Sequence, residues 1–216
     1  LPAFVAGPVG GCRRGEGPGR AGARGRPAVV PGAKSKPQLP ANWRQLLGQG
    51  WELNQQGMPW RQAGRVVVVA QGQMLLVAGH DFSDATHRWL FTPGGGIEAG
   101  ESPAQAAARE LAEETGIIVD PGALTLLGYR QALFEFRALT CLANETFYYL
   151  HLERKPQLNQ ERWTTNERSL LDGLNWYSPH NLRQLSQAGL AIYPPELVNH
   201  AAKLVTGWDD TLLKFT

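Results

Sequence analysis

Five charged side chains within fourteen residues, Glu101, Arg109, Glu110, Glu113 and Glu114, are the part of this sequence best equipped for chemistry. At about 100° per residue on a helix, Glu110, Glu113 and Glu114 share one face, and Ala104, Ala107, Ala108 and Leu111 form an adjacent apolar one. Like charges three and four apart repel by about 0.2–0.5 kcal/mol per pair. Glu113 and Glu114 also fall in the last turn, where the helix dipole disfavours anions. A sequence that accepts both penalties needs a cation nearby. Carboxylate oxygens without Cys or His select Mg²⁺, with Mn²⁺ as the alternative, over zinc. Alone, a charged helix face is ordinary solvated surface. The preceding glycines, Gly94–Gly96, and Glu101 at its fixed spacing reverse that reading. Backbone without side chains lets a phosphate or metal approach closely, which makes Gly95, Gly96 and Glu101 candidate substrate-binding positions. A plain turn is the alternative for Gly95.

From Gly95 to Ile117 the chain reads GGIEAGESPAQAAARELAEETGI. It meets the pattern G-x5-E-x7-R-E-U-x-E-E-x-G-U, with U aliphatic, at Gly95, Glu101, Arg109, Glu110, Leu111, Glu113, Glu114, Gly116 and Ile117. This resembles the signature of the Nudix hydrolase family, and the flanking elements extend the resemblance over about residues 62–190. The resemblance implies an α/β fold, an α/β/α sandwich around a mixed β-sheet. It also implies metal-assisted attack of water on the phosphoanhydride bond of a nucleoside diphosphate derivative. By the same resemblance Glu110, Glu113 and Glu114 hold the metal, and Glu110 or another acid is the general base. Arg109, four residues before Glu113, is expected to orient that carboxylate through a fork of hydrogen bonds. Glu101 is expected to complete the metal site or to brace the loop-helix corner. Several members of the family take a base from a later loop; Glu167, in the polar stretch 163–168, is the candidate here, with Glu153 and Glu161 competing.

The substrate is less legible. No SQPWPFPxS-type array follows the motif, and residues 132–134 lack the proline of ADP-ribose hydrolases and the tyrosine of dinucleoside polyphosphate hydrolases. A housecleaning or nucleotide-sugar hydrolase acting on a small molecule remains. A non-catalytic Nudix-like sensor is a rival reading, weakened by the complete motif. An RNA 5′-end pyrophosphohydrolase is another, supported only by a basic N-terminal segment. His87 and Arg88 precede the glycines and are candidate phosphate contacts, and Trp89, Phe134, Phe136, Tyr148 and Trp176 are candidate base-stacking groups. For each of these, loop or core is the commoner role.

The elements that must position the motif follow from periodicity. Residues 65–70 (RVVVVA) read as a buried strand and 73–78 (QMLLVA) as its hairpin partner, with Gln71-Gly72 the turn. A short strand at 89–91 leads into the glycines. Ser102-Pro103 opens the charged helix and Gly116 closes it. Further strands are expected at 124–127, 129–136, 146–152 and 175–177, and helices from Ser178-Pro179 to about 188 and from Pro194-Pro195 to about 205. Strands in hairpins with single helices favour a mixed sheet over a doubly wound parallel one.

Composition sets the outer bounds. Of 21 Lys and Arg, seven fall in residues 1–37, against one of 19 Asp and Glu, so this segment carries +6 and the remainder −4. With nine Gly and six Pro, 1–37 is expected to be a disordered tail. Residues 38–61 are then a lead-in, and 62–216 the hydrolase domain with its C-terminal helices. The mildly acidic body argues against nucleic acid as its ligand. No apolar run is long enough to span a membrane. Cys12 and Cys141 offer neither a zinc spacing nor a disulfide framework, which points to the reducing cytoplasm. A homodimer is compatible with all of this.

Overall fold

An unbroken run of valines suits a strand covered on both faces, and the strand carrying it lies at the centre of the molecule. The computed structural model describes residues 39–48, 50–81, 84–136 and 139–216. The expected disordered tail, 1–37, lies outside the described residues. A short helix α1 (Trp43–Leu47) and strand β1 (Glu52–Leu53) lead into β2 (Pro59–Ala70) and its hairpin partner β3 (Gln73–His80). Next come β4 (Arg88–Phe91), β5 (Gly94–Gly96), helix α2 (Pro103–Thr115) and the long pair β6 (Thr125–Phe136) and β7 (Leu139–Leu152). The one-turn helix α3 (Thr165–Arg168), β8 (Leu171–Tyr177), α4 (Pro179–Gln187), β9 (Ala191–Tyr193), α5 (Leu197–Thr206) and β10 (Leu213–Lys214) follow.

The valines of β2 are buried alternately against two layers. Val66 and Val68 pack with Ala107 and Leu111 of α2, and with Leu75 and Leu150. Val67 and Val69 pack with Leu182 of α4 and with Leu197, Ala201 and Leu204 of α5. The result is the expected α/β/α sandwich with a mixed sheet. Its strand order is β10-β6-β7-β2-β3-β4-β9, with β1 and β5 on β2 and β8 on β3. β7 runs parallel to β2 and antiparallel to β6. Among the described residues no helix is long and apolar enough to cross a membrane.

The hairpin that opens the sheet also makes room for the site. β2 and β3 pair only at 68–70 with 73–75, then splay apart. β4 fills the wedge along β3, and β5 fills it along β2, with Gly94, Gly95 and Gly96 opposite Arg65, Gly64 and Ala63. Thr92 and Pro93 make the crossing between the two, which brings the glycines beside α2.

Helix α2 begins and ends where its signals place it. The Ser102 side chain accepts from Gln105 N and Gln105 Oε1 accepts from Ser102 N, a capping box, with Pro103 in the first turn and Gly116 left-handed at φ 76° after the last. The strands depart more from expectation. β2 begins at Pro59, six residues before the expected start at Arg65, and its first half carries the buried Arg61, which does not register in an apolar period. β7 begins at Leu139: Leu139, Cys141 and Ala143 alternate inward, but the series continues with a buried Glu145. β6 runs unbroken through Gly128, which serves close approach, since a Cβ there would fall 2.0 Å from Leu213 O of β10. β8 starts at Leu171, and α1, α3, β1, β9 and β10 are too short to show a period.

Seating α2 depends on a second glycine. A Cβ on Gly64 would lie 2.3 Å from Pro103 O and 2.9 Å from Ala107 N, so the helix backbone rests on the strand backbone. Neither neighbour can move without shifting the whole helix. Gly64→Ala is therefore expected to destabilise the protein by about 3 kcal/mol, the upper end of overpacking, measured by urea unfolding. A loss below about 1 kcal/mol would mean that the helix yields easily.

Candidate active site

Glycine strand and helix together bury two carboxylates. A Cβ on Gly95 would stand 2.3 Å from Glu110 Oε1 and 2.4 Å from its Cδ, so the Glu110 carboxylate occupies the space a side chain would take. The Gly94 N–H donates to Glu114 Oε2 at 2.9 Å. Glu114 is fully buried, and its Oε1 has no hydrogen-bond partner among the described residues. Burial first, and the neighbouring Glu110 second, push its carboxyl well above the usual carboxylate range, against the opposing pull of the Gly94 N–H. Burial also raises Glu110, with Arg109 lowering it and Glu113 adding to the rise. Two adjacent acids that both resist ionising, one with an oxygen that nothing satisfies, form an environment that a cation would relieve.

Arg109 holds the corner together. Its Nε and Nη2 donate to Glu101 Oε1 and Oε2 at 2.8 and 3.0 Å, a two-pronged pair. Nη2 also reaches Gly96 O at 2.9 Å, and Nη1 reaches Glu110 Oε1 at 3.0 Å. Glu101 Oε2 further accepts from Glu98 N at 3.0 Å. The Arg109 hydrogen bonds hold the Glu101 carboxyl below its usual range, and chiefly the same pair raises the guanidinium. The fork expected to orient Glu113 thus engages Glu101 instead, which braces the loop-helix corner. Arg109 Nη1 meets Glu113 Oε2 only at 3.4 Å, and the Glu113 side chain is 44% exposed. Among the described residues no three acidic, His or Cys side chains converge to hold an ion. Of the three expected ligands, Glu110 and Glu114 are buried together and Glu113 faces solvent. The buried pair, with its orphaned oxygen and all-oxygen donors, fits a hard divalent ion.

Glu167 is buried and bonds to Thr164. Its Oε2 accepts from Thr164 N at 2.7 Å, and its own N–H donates to Thr164 Oγ1 at 3.2 Å, the reciprocal cap of α3. The polar stretch that leads to Glu167 is tied to the end of α2: Trp163 Nε1 donates to Glu114 O at 2.7 Å, and Asn159 N donates to Thr115 O at 2.9 Å. Glu153 and Glu161 are exposed. Arg88 approaches Asp172 at 3.7 Å and His87 stacks edge-on against Trp89. Trp89, Phe134 and Phe136 are core, and Tyr148 and Trp176 pack beside α2.

A cavity of about 790 Å³ opens beside the carboxylates, lined in part by Trp51, Trp60, Arg61, Gly96, Glu98 and Glu110. Its volume suits a small organic ligand. None of the aromatics singled out from the sequence lines it. Trp51, Trp60 and Arg61 precede the motif in sequence; the pairing of β2 with β5 brings Trp60 and Arg61 towards it, and Trp51 packs on Arg61. The available signal was the cluster Trp60-Arg61 before a valine run, which is weak.

A sandwich whose glycine strand meets an acidic helix defines the class, and comparison agrees. A NUDIX domain matches residues 58–196, and the chain belongs to the NUDIX family. Curated relatives include the RNA pyrophosphohydrolases of Bartonella quintana, 42% identical over 72 residues (31% of this chain, 41% of the relative), and Brucella ovis, 46% identical over 65 residues (30% of each). The chain thus spans well under half the length of these relatives. Similar solved structures are the mMutator MutT protein of Bacillus halodurans (21% identity, TM-score 0.47, covering 70% of this chain and 84% of that one) and a NUDIX hydrolase of Nitrosomonas europaea (22%, 0.46, 66% and 86%).

The strain at Glu114 is testable without substrate. Its proton affinity is higher folded than unfolded, so the metal-free protein gains stability below the unfolded value of 4.5 and loses it as pH rises from there towards the folded value. Glu114→Gln keeps an acceptor for Gly94 N–H and removes the charge. In EDTA it should melt several degrees above the parent at pH 8, with the gap closing near pH 4. Equal melting at pH 8 would show that the carboxylate is not strained.

Proposed function

We propose that this chain hydrolyses a phosphoanhydride bond in a small nucleoside diphosphate derivative, with Glu110 and Glu114 as the ligands of a divalent metal. The observation that carries this is the buried Glu110–Glu114 pair, with Glu114 Oε1 unsatisfied, beside a cavity of nucleotide size. Mg²⁺ bound there would neutralise diphosphate charge and acidify a water molecule. Glu113, at the helix surface, would join only by turning from Arg109.

The chain's own groups have separate tasks. Arg109 Nη1 holds Glu110 Oε1, which fixes the carboxylate and leaves Oε2 to accept a proton from the attacking water. Arg109 and Glu101 lock the turn after β5, so the Gly94–Gly96 backbone stays in place while a phosphate lies against it. Glu167 is assigned to capping α3, which also steadies Trp163 beneath Glu114. The free, buried Cys141 accords with a reducing, cytoplasmic setting.

A second reading, that the diphosphate belongs to an RNA 5′ end, is favoured by the names of the Bartonella and Brucella relatives. Its mark would be turnover that falls steeply with salt as phosphate contacts are screened. A panel of nucleotide sugars, dinucleotides, nucleoside triphosphates and triphosphorylated RNA, with products identified by mass, separates the two.

Two outcomes are expected on the best substrate of that panel. EDTA should abolish turnover and Mg²⁺ or Mn²⁺ restore it, and Glu114→Gln should lower kcat at least about a hundredfold in a folded protein; full activity without metal would sink the carboxylate-metal reading. Glu167→Ala should cost about 1 kcal/mol of stability, as lost caps do, with kcat within a few-fold of the parent. A hundredfold loss of kcat there would make Glu167 the base after all.

A further inference from the structure

Arg61 is buried without an acceptor. It is 9% exposed, and neither its Nε nor its Nη2 has a hydrogen-bond partner among the described residues. Two positions along the same face of β2, Arg65 shows what a structural arginine needs: its Nε meets Glu145 Oε1 at 2.5 Å, and its Nη1 reaches Thr92 O and Gly94 O. Arg61 faces Ala143 across the parallel pairing with β7, and Glu110 and Glu145 attract it only through space, with no direct hydrogen bond or ion pair to either among the described residues. Burial, and then Arg65, push its guanidinium down to about 10, so it remains charged at neutral pH. An unpaired buried charge is among the costliest groups a fold can retain.

What holds Arg61 is an aromatic face. Its guanidinium carbon lies 4.8 Å from the ring centroid of Trp51, and that ring is fixed behind by Phe134 and Phe136. A ring contact stabilises the cation but occupies none of its N–H groups. The guanidinium lines the same cavity as Glu110, and its Nη1 lies 3.6 Å from where a Gly96 Cβ would be. Trp51 precedes residues 58–196, the span that matches the family domain.

We propose that Arg61, held against Trp51 by the segment preceding the family domain, is the anion subsite of the cavity and binds a phosphate oxygen of the substrate. The proposal rests on the hydrolase reading for the identity of the anion. A guanidinium fork matches a phosphate edge in two parallel bonds. A diphosphate would then lie beside both Glu110 and Arg61, which line the same cavity. Trp51 acts as a positioning residue, since its ring is packed and only its contact with Arg61 matters here.

The test uses inorganic pyrophosphate as probe and calorimetry on the whole chain, with EDTA and separately with Mg²⁺. Arg61→Met should weaken pyrophosphate binding at least about tenfold in both, the loss of charged hydrogen bonds. It should melt at or above the parent temperature in the absence of ligand, because an unpaired charge has been removed. Pyrophosphate should raise the melting temperature of the parent more than that of the variant at the same concentration. On the nucleotide substrate KM should rise about tenfold or more, with kcat changing less. Arg61→Lys keeps the charge and loses the fork; it should fold and still lose several-fold in affinity. Trp51→Leu should weaken binding by a smaller factor and add nothing to Arg61→Met. Unchanged pyrophosphate affinity in Arg61→Met, or in Arg61→Lys should the former not fold, overturns the proposal. If Arg61-dependent binding is found but no nucleotide is cleaved, the hydrolase reading fails and the subsite stands. Cleavage with Arg61-independent binding gives the reverse.

Discussion

Helix α2 can carry two carboxylates into the interior only because the backbone it lies against has no side chains in the way. Gly64 lets the helix touch β2, and Gly95 yields its side-chain space to Glu110. A methyl group at Gly64 would meet the helix backbone and push it off, and one at Gly95 would displace the Glu110 carboxylate. Their raised proton affinities follow from this contact, because burial is the largest cause for both. The charged helix face and the glycine strand are thus one device: the strand permits the burial, and the burial creates the demand for a cation.

Such a device stores unfavourable electrostatics, and the surrounding network keeps it in place. Arg109 is the pivot. It ties Glu101, the Gly96 carbonyl and Glu110 into one cluster, so the loop ahead of α2 cannot drift from the helix. At the other end of α2, Trp163 and Asn159 bond to the carbonyls of Glu114 and Thr115, and satisfy backbone groups left over at the helix terminus. Arg65 and Glu145 form a buried pair next to the glycines, and Arg130 Nη1 lies 3.4 Å from Glu145 Oε2. These charges neutralise one another. The Glu114 Oε1 oxygen and the Arg61 guanidinium have no such direct partner among the described residues; Arg61 lines the cavity, and Glu114 lies beside Glu110, which lines it too.

Wedge geometry explains how distant segments meet there. Because β2 and β3 part soon after their turn, β5 gains an edge of β2 to pair with. Everything on the first half of β2 then lies within reach of the glycines. The segment before β2 packs its tryptophans on β6 and β7, so Trp51 arrives at Arg61 from a part of the chain that the motif does not include. Shape at the cavity is therefore set by long-range pairing, whereas charge at the carboxylates is set by local helix spacing.

Sequence alone determined what depends on near neighbours. The spacing of Glu110, Glu113 and Glu114, the caps Ser102 and Gly116, the valine run and the family pattern gave the sandwich, the helix and the acids, since helical periodicity and capping act within a few residues. It could not tell which acids are buried: Glu110 and Glu114 differ from Glu113 through contact with Gly94 and Gly95, a matter of where β5 pairs. Nor could it predict that the Arg109 fork would close on Glu101, or that Glu167 would cap α3 and not hang in a loop. Periodicity understates the long strands β2 and β7 because their inward positions include Arg61 and Glu145. Those side chains look solvated until partners from strands far apart in sequence, or in the case of Arg61 an aromatic face and an open cavity, are brought beside them. A buried charge is specified by its surroundings, and surroundings exist only once the chain has folded.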